Sequence, residues 1–287
     1  MTISAPSVAP RSVVSRPSTG STSSRTPGFA RAITAELIKL RSVRSTGIVL
    51  LVATLGVVLM GVANAISIAV QASQGTGPST TGGPASDTAA VALSGVGSAL
   101  VAIAALGVLS VTADYACGMV RTTIAAVPRR GRLVIGKAAA LVVLVLPVML
   151  GAALLTGLAT HLIVSTAGLS LPLDQPGLIR ALVGSALYAS ILAVFAAGLG
   201  WLVRSTAGAL ATWLGVWTLP TFVLMLLPAP LAQQVQPWLP GPGGAGTAVY
   251  QVGGISEAAA WVSLGAFAAY ALAISLVATA VLRRRDA

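Results

Sequence analysis

Charge is what this sequence has least of. Asp, Glu, Lys and Arg make up 8% of its 287 residues, against about 25% in a soluble domain, whose surface must be solvated. With 56% hydrophobic residues and a mean hydropathy of +0.92, the scarcity excludes a soluble globular protein and makes lipid the solvent for most of the chain. Chemistry-bearing residues are also few. Cys117 is the one cysteine, so neither an intrachain disulfide nor a cysteine-based metal site can form. One histidine, His161, and six dispersed carboxylates offer no metal-ligand cluster. No Ser/His/Asp or Cys/His set of the kind that supports hydrolysis is present, and no cofactor is expected.

What is present is a succession of apolar runs delimited by the rare charges. Arg44 to Asp87 encloses 42 residues without a charged side chain, Asp87 to Asp114 encloses 26, Lys137 to Asp174 encloses 36, Arg180 to Arg204 encloses 23 and Glu257 to Arg283 encloses 25. Arg204 to Glu257 encloses 52, but Pro and Gly accumulate in its second half. A helix needs about 20 residues to cross about 30 Å of hydrocarbon. Six segments reach that length: about 47–70, 89–112, 138–162, 180–203, 207–229 and 259–282. No charged residue falls in their central turns. Coupled secondary transporters place carboxylates there as relays or ligands, so such a transporter, or a channel, is disfavoured. His161, near the end of the third span, reads as structural.

Orientation follows from the lysines and arginines, which mark cytoplasmic segments. With the N-terminus inside, 16 of the 17 basic residues are cytoplasmic and only Arg180 lies outside. The expected fold is therefore an all-α polytopic membrane protein with six transmembrane helices and both termini in the cytoplasm. The net charge of +11 flanks apolar spans instead of forming a soluble patch, so nucleic acid is not an expected partner. Residues 1–27, rich in Ser, Thr and Pro, lack the apolar content to fold alone and read as a disordered cytoplasmic tail. Between 230 and 258, "PWLPGPGGAG" excludes a regular helix. That stretch forms either a surface loop anchored by Trp238, Tyr250 and Trp261, or a pair of short re-entrant elements.

Two basic segments go beyond linking spans. In 29–45, Phe29, Ile33, Leu37, Leu40 and Val43 share one helical stripe. This predicts an N-terminal amphipathic helix lying in the membrane interface. The stripe is imperfect: Glu36 falls inside the apolar arc and Ile38 on the polar side. In 113–137, Val120, Ile124 and Val127 form a short apolar stripe that Pro128 should end, followed by Arg129, Arg130, Arg132 and Lys137. Gly131, Gly136 and Lys137 mimic the phosphate-cradling G-x-x-x-x-G-K. Ala138 replaces the required Ser or Thr and no core strand precedes, so Lys137 reads as the membrane boundary.

"AELIKLRSVRST" (35–46) and "DYACGMVRTTIAAVPRRGRLVIGK" (114–137) resemble the first-span approach and the second-to-third-span loop of ABC transporter permease subunits of the ABC-2 type, in the form common in bacteria of high genomic GC content. The matching positions are Glu36, Lys39, Arg41 and Arg44, then Asp114, Gly118, Arg121, Pro128, Arg129, Arg130, Arg132 and Lys137. Asp114 stands where Glu is usual and Met119 where Thr is usual. The resemblance spans roughly 29–285 and makes 28–287 one permease domain. It implies a homodimer or a heterodimer with a second permease, and a separate cytoplasmic ABC ATPase subunit docked on these two segments. It also favours the re-entrant form of 230–258. Candidate docking residues are Glu36, Lys39, Arg41, Val120, Arg121, Ile124, Val127, Arg129 and Arg130. The expected function is the pathway-forming subunit of an ATP-driven exporter in the bacterial plasma membrane, in contact with lipid and without ATPase activity of its own. The alternative is a non-transporting membrane scaffold or sensor component.

The basic asymmetry sets a test. In a Cys117→Ser background, cysteines at Gly75 and Gly243 should react with an impermeant thiol reagent in intact cells, and cysteines at Arg25 and Arg284 should not. The reverse pattern would invert the topology.

Overall fold

Hydrocarbon leaves a spanning backbone no solvent partners, so its polar groups must bond within the segment. The computed structural model meets that demand with helices throughout. It describes residues 29–74, 93, 95–118, 130–168, 177–251 and 256–285, among which no strand occurs. The helices are α1 (Phe29–Ser42), α2 (Arg44–Ser73), α3 (Val96–Ala116), α4 (Arg130–Thr166), α5 (Leu178–Val203), α6 (Thr206–Met225), α7 (Ala229–Val235) and α8 (Glu257–Arg285). Six of them, α2 to α6 and α8, are long and apolar enough to cross a membrane. The chain is a multi-pass membrane protein.

Several expected boundaries move. The second span, expected over about 89–112, has its helix at Val96–Ala116, and the third, expected to begin at 138, begins at Arg130. Asp114 and Lys137 are therefore helical residues. Lys137 sits in the second turn of α4 with 1% of its surface exposed. The phosphate-loop look-alike runs along the same helix, so its glycines form no loop. The tail 1–27 and the stripe of Val120, Ile124 and Val127 lie outside the described residues.

The bundle is built around α5. Of its most apolar stretch 72% is buried, against 17% for α6 and 22% for α8. The sequence explains this placement, because α5 carries small residues on every side, among them Gly184, Ser185, Ala189, Ala193, Ala197 and Gly198. Small side chains let backbones approach closely, and close packing stabilises helix association in lipid, where burying apolar surface gains little. Helices α3, α4, α6 and α8 pack around it. At one crossing, a side chain on Gly107 of α3 would collide with the Ala193 carbonyl of α5. Hydroxyls in the core bond to their own helix: Ser110 donates to the Gly107 carbonyl at 2.7 Å, Thr156 to Ala152 at 2.8 Å and Ser190 to Ala186 at 2.7 Å. These three donors are satisfied within their helices, while the buried hydroxyls of Thr160 and Tyr188 have no protein partner.

The segment after α6 packs back against the bundle. After α7 and a 3-10 turn at Gln236–Trp238, the chain reaches a second 3-10 turn at Thr247–Tyr250. Ala245, Thr247 and Val249 are buried there, against α5 and α8. Gly246 has φ +86°, and a side chain on it would lie 2.6 Å from the Tyr188 ring. Both the backbone angle and the close approach call for glycine. Tyr188 is ten residues into α5, so the turn descends about 15 Å along that helix. Tyr188 packs there with Tyr250 at 5.4 Å and Phe267 at 5.0 Å between ring centroids. Tyr270 of α8 fixes the descent by donating to the Trp238 carbonyl at 2.8 Å.

Candidate functional site: a buried ion network at the basic end

The ends of the helices that carry basic residues gather at one end of the bundle. A side chain on Gly131 in the first turn of α4 would begin 3.7 Å from the Arg283 guanidinium near the end of α8. Thr206 at the start of α6 donates to Thr112 near the end of α3 at 2.8 Å. Between them lies the densest cluster of charge among the described residues.

Its centre is Lys137. The ammonium donates to the Ser110 carbonyl at 2.6 Å and to Asp114 Oδ2 at 2.7 Å. Glu36 Oε2 lies 3.1 Å away as an ion pair outside hydrogen-bond alignment. Lys39 reaches the other Asp114 oxygen, Oδ1, in a second ion pair. Two cations thus meet two anions and the site is neutral as a unit. An ammonium has three donors and no acceptor. Three acceptors on two other helices surround this one.

Each contact ties a different element. Glu36 and Lys39 come from α1, Ser110 and Asp114 from α3, and Lys137 from α4. Helix α1 is a separate unit because Val43, at φ −83° and ψ 116°, breaks it from α2. Leu40 and Glu36 are buried and Leu37 is partly buried, on the side that packs against α4, while Ile38 is 64% exposed. Ile38 on the polar side and Glu36 in the apolar arc were the two flaws of the sequence pattern, and the fold explains the second: that face is turned to a buried lysine. The residues around Asp114 hold α3 elsewhere as well. Thr112 accepts from α6, and Tyr115 packs edge-on to Trp201 of α5 at 5.8 Å. The Arg204 guanidinium lies 5.3 Å from the Tyr115 ring centre, within cation–π range.

Of the sequence-derived docking residues, Glu36 and Lys39 come together in the network, with Glu36 directed inward. Arg41 is exposed on the same helix. Val120, Arg121, Ile124, Val127 and Arg129 lie outside the described residues, and of Arg130 only the backbone is described. Asp114 and Lys137 were not seen as a pair from sequence, although they flank the basic loop and are the nearest opposite charges to it. A cleft of about 80 Å³ opens beside the network, with Leu40, Thr46 and Leu106 in its walls. It has room for a few waters, not for a transported solute. His161 lies near the other end of α4, and its buried Nδ1 has no protein hydrogen-bond partner.

Compared with known proteins, the chain matches no family model, and no curated protein shows significant similarity to it.

Removing one member of a buried ion cluster leaves a charge without compensation, which costs about 3–5 kcal/mol. Lys137→Met should therefore lower unfolding stability in mild detergent by about that much. Arg41→Gln, at an exposed position, should change it by less than about 0.5 kcal/mol. Equal melting of the two variants would show that the network contributes nothing.

Proposed function

We propose that this chain is the membrane-embedded permease subunit of an ATP-driven exporter of the ABC-2 type, with both termini in the cytoplasm of a bacterial plasma membrane. In this reading α1 lies in the inner interface, a separate ABC ATPase supplies the energy, and a second permease, identical or related, completes the pathway.

The observation that carries the reading is the ion network. Helix α1 lies outside the apolar spans, yet Glu36 and Lys39 fasten it to Asp114 and Lys137. Those two residues sit on the helices that flank the basic loop 119–129. A soluble motor pressing on α1 or on that loop would act on one connected unit, α1 with the ends of α3 and α4, and so on the bundle core through α5. The charge distribution points the same way. Among the described residues, the charged groups of the spans sit near helix ends, so no carboxylate at mid-depth is available to couple transport to an ion gradient. Energy would then enter from outside the chain. The 16-to-1 basic asymmetry supports the cytoplasmic placement of that end.

Exposed Arg41, partly exposed Lys39 and the loop residues Val120, Arg121, Ile124, Val127, Arg129 and Arg130 form the docking surface in this reading, with Glu36 holding α1 in place beneath it. The loop stripe is the sharpest point to test. A charge placed in an apolar contact becomes a buried unpaired ion, and a loss of about 3 kcal/mol weakens association more than a hundredfold. Ile124→Glu should leave the permease inserted with an unchanged melting profile and strip the ATPase from affinity-tagged protein. If Ile124→Glu retains as much ATPase as the wild type, the loop is not the docking site. If none co-purifies with the unmutated chain, the scaffold reading takes its place.

A further inference from the structure

On the seam between α4 and α8 lies an apolar groove of about 270 Å³, with Ile191 and Val194 of α5 as its floor. Its α4 wall is Val134, Ile135 and Ala138, which follow Gly131 by three, four and seven residues and so share its face. On the α8 wall, Leu272 and Ser275 lead along one face through Thr279 to Arg283. Gly131 meets Thr279 and Arg283, so the groove runs directly into the basic end of the bundle. Arg132, half-buried, precedes Ile135 by three residues and is its neighbour on the helix surface. Arg132 starts about 3 Å along α4 from Val134, one position off the groove face, and Arg283 starts about 12 Å along α8 from Ser275 with its guanidinium beside Gly131.

We propose that this groove binds one anionic diacyl phospholipid, its phosphate held by Arg132 and Arg283 and one acyl chain laid between α4 and α8. The groove walls ask for hydrocarbon. The Ser275 hydroxyl donates to the Ala271 carbonyl at 2.7 Å, and Thr279 donates to Ser275 at 2.8 Å, so neither donor is left for a polar solute. Ile135 and Leu272 are 57% and 61% exposed, which opens the groove to the bilayer. From Ala268 to Ser275 the groove runs about 10 Å along α8, the direction in which an acyl chain would lie. Basic pockets between spans hold anionic headgroups for the reason met here: guanidinium and phosphate pair at the level where the apolar wall ends. The inference does not depend on the exporter reading.

The test is native mass spectrometry of the full chain in mild detergent, titrated with dioleoyl phosphatidylglycerol or dioleoyl phosphatidylcholine. The wild type should take up one phosphatidylglycerol about 30-fold more tightly than phosphatidylcholine, as two arginines at about 1 kcal/mol each imply. Arg132→Gln with Arg283→Gln should erase that preference and leave phosphatidylcholine binding unchanged. Lysines at the same two positions should keep most of it. Arg284→Gln, exposed and without the contact to Gly131 that Arg283 makes, should stay within about twofold of the wild type. Ala138→Phe, filling the groove, should weaken both lipids; should it not fold, Leu272→Trp replaces it, with the melting profile as the check. Equal affinity of the wild type for both lipids would overturn the proposal. So would an Arg284→Gln loss as large as the double variant's, which would mean a diffuse basic surface. A groove-filling variant that splits a dimer without changing lipid uptake would assign the groove to a second copy.

Discussion

An ammonium group cannot be buried in an apolar bundle without anions beside it, and the basic end of this protein is organised around that constraint. Desolvating Lys137 alone would cost several kcal/mol. Asp114, Glu36 and the Ser110 carbonyl offset that cost at 2.6 to 3.1 Å. Lys39 then balances the second carboxylate. Meeting these distances fixes a good deal of geometry. Helix α3 must continue past the apolar run to carry Asp114, and α4 must begin early enough to place Lys137 inside. Helix α1 must turn its Glu36 face inward and lie across α4. Two of the six carboxylates in the chain are committed to this one junction.

The rest of the bundle is held by different physics. Around α5 the helices associate through small residues and backbone proximity, with hydroxyls turned onto their own carbonyls. Such packing is dense but carries no directional charge. The network therefore differs from the core in kind: it couples named residues on three elements. Ion pairs connect α1 to α3 and α4, and Tyr115, Trp201 and the close crossing at Gly107 connect α3 to α5. At the opposite end the descending turn at Thr247–Tyr250 closes the space between α5 and α8 with aromatic contacts.

Much of this was legible in the sequence, for physical reasons that can be named. Charge scarcity and run lengths located all six apolar helices, because crossing hydrocarbon imposes both. Helix ends were less legible. The apolar run stops at residue 112 and resumes at 138, but a helix can continue into polar surroundings when a partner satisfies its charges, as Asp114 and Lys137 do for each other. The N-terminal stripe predicts a helix lying in the membrane interface, whereas Leu40 is buried in the bundle core with Leu37 packed against it, and the stripe leaves Glu36 as a defect. A carboxylate inside an apolar arc asks for a buried cation to face it, and here that cation is Lys137, about a hundred residues away in sequence, which no local pattern could name. Val43, placed on the stripe, is instead 45% exposed, because the chain turns there into α2. The packing of Thr247–Tyr250 against α5 and α8 depended on contacts that no local pattern records.

The central claim is that α1 is fastened to the bundle by the charge pair between Glu36 and Lys137, supported by Asp114. A double-mutant cycle tests it most directly, with Glu36→Gln, Lys137→Gln and the double variant unfolded in the same detergent. Contacting residues in one ionic network couple by about 0.5–3 kcal/mol, while independent sites add to within about 0.3–0.5 kcal/mol. The account predicts coupling above about 1 kcal/mol, with the double variant more stable than the sum of the single losses implies. Additivity within about 0.3 kcal/mol would contradict it, and α1 would then be held by its apolar face alone.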